Sequence, residues 1–142
     1  MQIFKNILFV SNKSGSEFDA LKKAIILAFN NKAALQILIL APQFPDAFNE
    51  SEHEYDKYLL EKLNSKIHLA CTELQIKQEE IQLGTSIEHT DGRALHIIQY
   101  VLRGGYDLVL KQAEKTATDS GFKSLDMELL RKCPAPVFLE RT

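Results

Sequence analysis

At 142 residues the chain has the length of one ordinary domain, enough to bury about two thirds of the surface that its unfolded form exposes. Its 17 Lys and Arg stand against 19 Asp and Glu, a formal net charge of −2, and so weak a field excludes the basic footprint of a nucleic-acid or anionic-membrane binder. Cys71 and Cys133 fit neither a disulfide framework nor a zinc spacing and are expected to be packing thiols in a reducing cytoplasm, and no stretch reaches the roughly 20 apolar residues of a membrane span.

Short apolar runs alternate with longer amphipathic ones, the pattern of βαβ units that build an α/β domain around a parallel sheet covered on both faces. The first run, Ile7, Leu8, Phe9 and Val10, is continuous, as a strand buried on both sides should be, and too short for the apolar segment of a signal peptide. It breaks into the polar turn 11–15, and a helix is expected from about Ser16. Phe18, Leu21, Ile25 and Ala28 mark its buried stripe, and Asn30, Asn31 and Lys32 its end. Residues 35–40 form the second strand, which Pro42 and Pro45 prevent from continuing. Ser51 and Glu54 have the three-residue spacing of a capping box, so the second helix is expected to start there and to bury Tyr55, Leu59, Leu63, Ile67, Ala70 and Leu74.

Ile81, Leu83, Thr85 and Ile87 alternate with polar residues, the period-two signature of a strand exposed on one side, hence an edge. Asp91 and Gly92 open a third helix that presents Ala94, Ile97, Ile98, Val101 and Leu102 to the core and ends at Gly104 and Gly105. Leu108, Val109 and Leu110 make the fourth strand. After the polar segment 112–123, a short helix 125–132 leads past Pro134 and Pro136 into a last strand, 137–139, whose flanking prolines again point to an edge.

In an open parallel sheet, ligands sit beyond the carboxyl ends of the strands, where the winding direction reverses. With the first and fourth strands as central neighbours, that crevice is bounded by Ser11 and Asn12 on one side and by Lys111 and Gln112 on the other. Ala41 beyond the second strand and Ser124 after the fourth complete the candidate ligand-binding set. Lys111 beside the N–H groups of a helix start would favour an anion; the alternative is a solvated surface lysine.

From Lys5-Asn6-Ile7-Leu8 to Leu130-Arg131-Lys132-Cys133-Pro134-Ala135-Pro136-Val137, the chain resembles a universal stress protein domain, residues 1–142 forming one such unit. The likeness is strongest in Gly104-Gly105-Tyr106-Asp107-Leu108-Val109-Leu110-Lys111, followed by Asp126 and Leu129-Leu130-Arg131-Lys132-Cys133-Pro134, which look like the first domain of tandem members of that family. The resemblance implies an adenine nucleotide alpha hydrolase-like, Rossmann-like sheet of five strands in the order 3-2-1-4-5. It also implies a cytoplasmic homodimer paired through the last strand, here Val137, Phe138 and Leu139, and a role in stress response.

One branch of the family binds ATP through an Asp ending the first strand and a glycine-rich loop after the fourth. Here Asn12 replaces that Asp, the segment 112–123 holds only Gly121, and Lys123 replaces the glycine before Ser124. Without glycines the backbone N–H groups cannot fold around a phosphate. Losing two or three charge-assisted hydrogen bonds of roughly 1.5 kcal/mol each lowers affinity by about 10²–10³. The site therefore reads as a degenerate nucleotide site, with no cofactor expected and ATP or AMP at most weakly held, though Lys111, Lys115 and Lys123 offer some compensation by charge.

Other chemistries find less support. The turn 11–16 superficially resembles a flavodoxin phosphate loop, which would make the chain a flavodoxin-like electron carrier that binds flavin mononucleotide. It has no Trp, however, and only Tyr106 near the fourth strand could cover the ring. His53 among Glu50, Glu52, Glu54 and Asp56 suggests a metal, but acids at a helix start more often serve its dipole. His89 and His96 lack further ligands, His68 and His96 read as helix-surface residues, and no G-x-S-x-G elbow is present. The polar run 116–120 is a candidate phosphorylation segment. The sequence thus points to a non-catalytic binding and dimerisation module acting on an unidentified small ligand or protein partner. A nucleotide-responsive protein with a divergent loop is the alternative.

Overall fold

The computed structural model describes residues 3–11, 17–41, 49–90, 94–113 and 124–140. Strands β1 (Asn6–Ser11), β2 (Ala34–Ala41), β3 (Leu83–His89), β4 (Leu108–Gln112) and β5 (Val137–Glu140) alternate with helices α1 (Phe18–Asn31), α2 (Asn49–Leu74), α3 (Ala94–Gly104) and α4 (Ser124–Lys132). All strand pairs are parallel and the order is β3-β2-β1-β4-β5, as the family resemblance implies.

The order follows from the handedness of parallel crossovers. The chain steps outward from β1 through β2 to β3 with α1 and α2 on one face, then returns past β1 to β4 and β5 with α3 and α4 on the other. Two cores result. Ile7, Phe9, Ile37 and Ile39 pack against Leu21, Ile25, Leu63 and Ile67 of α1 and α2, while Leu8, Val10, Leu38 and Val109 pack against Ala94, Ile97, Val101 and Leu129 of α3 and α4.

Burial grades outward as that layout requires. Residues 7–11 of β1 and all of β4 are buried, whereas β3 is half-buried along its length and β5 carries the exposed Phe138, so the expected edges are found at both ends. The buried stripe of α1 is Ala20, Leu21, Ala24, Ile25 and Ala28.

Three helices end alike, with one left-handed residue and a backbone bond five residues back that satisfies an orphan carbonyl. Lys32 (φ 54°) precedes Ala33 N–H to Ala28 O at 2.9 Å, Gln75 (φ 58°) precedes Ile76 N–H to Cys71 O at 3.0 Å, and Gly105 (φ 65°) precedes Tyr106 N–H to Val101 O at 3.3 Å.

Three local expectations are corrected. Helix α2 begins at Asn49, two residues before the start expected at Ser51, so Ser51 lies inside its first turn. Leu102 is 64% exposed, because the buried positions of α3 are Ala94, Ile97 and Val101 and a neighbouring residue is turned 100° off that line. Ile81 is buried but precedes β3, following a 3-10 turn at Gln78–Glu80. Asp91 and Gly92 lie outside the described residues.

Candidate functional site

The reversal point of the winding lies between β1 and β4, and among the described residues their carboxyl ends carry Ser11, Lys111 and Gln112. The register decides which way each one points. Lys111 pairs with Val10, so both face the α3/α4 side, whereas Ser11 pairs with Ile39 and faces the α1/α2 side. The candidate residues are therefore divided by the sheet rather than gathered on one wall.

On the α4 side, Lys111 is 1% exposed, not a solvated surface lysine. Its Nζ lies 3.0 Å from Oδ1 of Asp126, which is 0% exposed, and also donates to the carbonyl of Gln112 at 3.1 Å. Asp126 sits in the first turn of α4, where a carboxylate also suits the helix dipole. A lysine taken this far out of water is tolerable only with a close counter-charge, and removing either partner strands the other. The pair ties the end of β4 to the start of α4 and neutralises the crevice's buried cation.

On the α1 side, Ser11 Oγ donates to Glu17 Oε1 at 2.7 Å, both residues being buried. The adjoining cavity, lined by Ser11, Glu17, Ile39, Leu59 and Leu63 with Lys62 and Lys66 at its rim, measures about 30 Å³. That is the space of about one water molecule. Gln112 is also buried, and its Oε1 has no hydrogen-bond partner among the described residues. Ala41 is buried in the α1/α2 core, and its carbonyl accepts from Thr90 N–H at 2.9 Å. Asn12 and the side chain of Ser124 lie outside the described residues, as do Lys115, Gly121, Lys123 and the run 116–120.

The sequence reading missed Glu17 and did not recognise Asp126 as Lys111's partner. The signal for Asp126 was present: with Leu129 and Cys133 it falls at i, i+3 and i+7, the stripe α4 buries, and a carboxylate on such a stripe implies a buried cation.

Of the acidic residues around His53, the side chains of Glu50 and Glu52 lie outside the described residues. Asp56 Oδ2 meets His89 Nε2 at 2.8 Å, joining α2 to the end of β3, and among the described residues no three His, Cys, Asp or Glu side chains are placed to hold a metal ion. Burial raises the pKa of both Cys71 and Cys133, the behaviour of packed rather than reactive thiols. Among the described residues, no helix is long and apolar enough to cross a membrane.

The segment 104–107 proves architectural. Asp107 accepts from the backbone N–H of Lys5 at 2.8 Å and of Asn6 at 3.1 Å, and Asn6 Nδ2 donates to Gly104 O at 2.9 Å. The Tyr106 ring lies so close over Gly104 that a Cβ there would come within 2.2 Å of it. Tyr106 stacks on Tyr100 with centroids 5.8 Å apart, and Tyr100 shares a 2.7 Å hydrogen bond with Ser86 of β3. This network closes the amino ends of the strands, opposite the crevice.

Comparison with known proteins agrees with this architecture. The chain is 30% identical over 150 aligned positions to the universal stress protein E homolog of Haemophilus influenzae, an alignment covering 97% of the chain and 48% of that protein. This chain is a universal stress protein homologue. It spans about half the length of the curated relative it matches. No family model matches the sequence. Among solved structures, universal stress protein UspA from Lactobacillus plantarum superposes with a TM-score of 0.74 at 18% identity, covering 96% of this chain and 97% of that one. A universal stress protein family member from Burkholderia pseudomallei gives 0.69 at 16%, covering 99% and 98%. A universal stress protein in complex with cAMP gives 0.68 at 14%, covering 96% and 95%. The homologue thus shares the family's five-stranded parallel α/β fold.

Proposed function

We propose that this chain is a non-catalytic binding module of the stress response, that it pairs with a second copy through β5, and that it does not use ATP. The observation that carries the reading is the buried Lys111–Asp126 pair. A nucleotide's phosphates need an uncompensated cation or a nest of N–H groups at the reversal point. Here the buried cation already has a carboxylate at 3.0 Å, and the sequence between β4 and α4 lacks the spaced glycines of such a nest. Glu17, buried behind Ser11, adds a second carboxylate to the same end of the sheet.

Support for pairing comes from the sheet edge. Strand β5 bonds to β4 on one side, and its Phe138 is 47% exposed. An open edge carrying an aromatic side chain suits addition of another strand.

Native mass spectrometry of freshly purified protein tests both parts together. The expected result is a dimer of the chain with no retained small molecule. A monomer removes the β5 pairing, and a dimer carrying adenine nucleotide removes the ATP-independent reading. The latter would favour a nucleotide-responsive protein, a reading that draws support from the structurally similar universal stress protein described in complex with cAMP.

A further inference from the structure

We infer that Asp126 is the specificity-determining residue of the crevice: its buried carboxylate stands in for a ligand's phosphate on Lys111 and thereby excludes free phosphate and other small oxyanions. The inference rests on the ATP-independent reading above and deepens it by naming the residue responsible. Three observations support it. Lys111 is the penultimate residue of β4, the strand whose carboxyl end flanks the reversal point where anionic ligands of open parallel sheets are held. Both charges are essentially inaccessible to water, at 1% and 0% exposure, so their attraction is little screened. Asp126 comes from the first turn of α4, the end of a helix that attracts anions, so the protein's own carboxylate occupies the surroundings that an oxyanion would seek.

A tethered carboxylate also outcompetes a dissolved anion. Held on the same chain, it presents an effective concentration above that of free phosphate at working levels, with no translational entropy left to lose. The ligand class that remains compatible with the site is one that brings no phosphate to Lys111.

The test is anion rescue. Asp126→Ala removes the carboxylate and leaves space beside Lys111; Asp126→Asn keeps the shape and removes the charge. The double variant Lys111→Met with Asp126→Leu removes both charges and fills the site with apolar groups, the replacement that buried ion pairs tolerate best. Each is unfolded thermally with and without inorganic phosphate, using sodium chloride at matched ionic strength as reference. The expected result is that phosphate raises the midpoint of Asp126→Ala, with an apparent affinity at least about tenfold tighter than for the unsubstituted chain. Asp126→Asn should respond less, for want of space, and the double variant not at all.

Equal phosphate responses in Asp126→Ala and the unsubstituted chain would overturn the inference. So would a response in the double variant, or failure of both single variants to fold even in phosphate. Binding of ATP by the unsubstituted chain is a separate result, which sinks the underlying reading whatever Asp126→Ala does.

Discussion

At the amino ends of β1 and β4, backbone groups are satisfied by short polar side chains near the surface: Asp107 takes the N–H groups of Lys5 and Asn6, and Asn6 donates to Gly104. At the carboxyl ends of the same two strands, the partners are a lysine and two carboxylates withdrawn from water. The first arrangement costs little to desolvate and fixes a loop. The second is expensive, because buried charges must recover their hydration energy from one another. A fold that needed only closure would repeat the first arrangement at both ends. The costly charge is concentrated at the reversal point instead.

The contrast can be broken most forcefully at Lys111. Lys111→Met leaves Asp126 buried without its cation and is expected to cost about 3–5 kcal/mol, read from denaturant unfolding. That is a large share of the roughly 5–15 kcal/mol by which a domain of this size is stable. A loss below about 1 kcal/mol, the value of an exposed pair, would show that the crevice end is no more demanding than the other.

A smaller effect is expected at the opposite end. Gly104→Ala drives a methyl group into the Tyr106 ring at 2.2 Å and must displace it from Tyr100. The expected cost is about 1–3 kcal/mol, without change in ligand or nucleotide behaviour. A change in that behaviour would assign the amino end a role beyond architecture.

Much of this layout was legible in the sequence. The continuous run 7–10 announced a central strand, alternation through 81–88 an edge, and the glycines at 104 and 105 a helix end. The end of α1 was legible too, in Asn30, Asn31 and Lys32. The end of α2 was harder to place, because its left-handed residue, Gln75, is not a glycine and the tertiary fold imposes the conformation. The candidate site was only half legible. Periodicity located Ser11, Ala41 and Lys111 at or near the carboxyl ends of their strands, but which face each side chain takes depends on strand register. That register is set by pairings such as Val10 with Lys111, which no local pattern reveals. The partner of Lys111 lies fifteen positions further on, in another element, and was visible only as an acid on an apolar stripe.

The smallest expected effect concerns Tyr106. Burial, reinforced by neighbouring Tyr100, pushes its phenol from the ordinary 10.0 up to about 12. The fold therefore favours the neutral phenol. The stability it contributes is fully present below pH 10 and is lost as pH rises through about 12. Tyr106→Phe should flatten that alkaline decline while leaving the unfolding midpoint near pH 7 almost unchanged. An unaltered alkaline limb would mean that other groups govern it.

Calorimetric titration of the unsubstituted chain with ATP shows whether the buried Lys111, held by Asp126, leaves room for a nucleotide's phosphates. No saturable heat is expected at micromolar to submillimolar nucleotide. Saturable binding with micromolar affinity would contradict that expectation, because phosphate would then be held despite the carboxylate on Lys111.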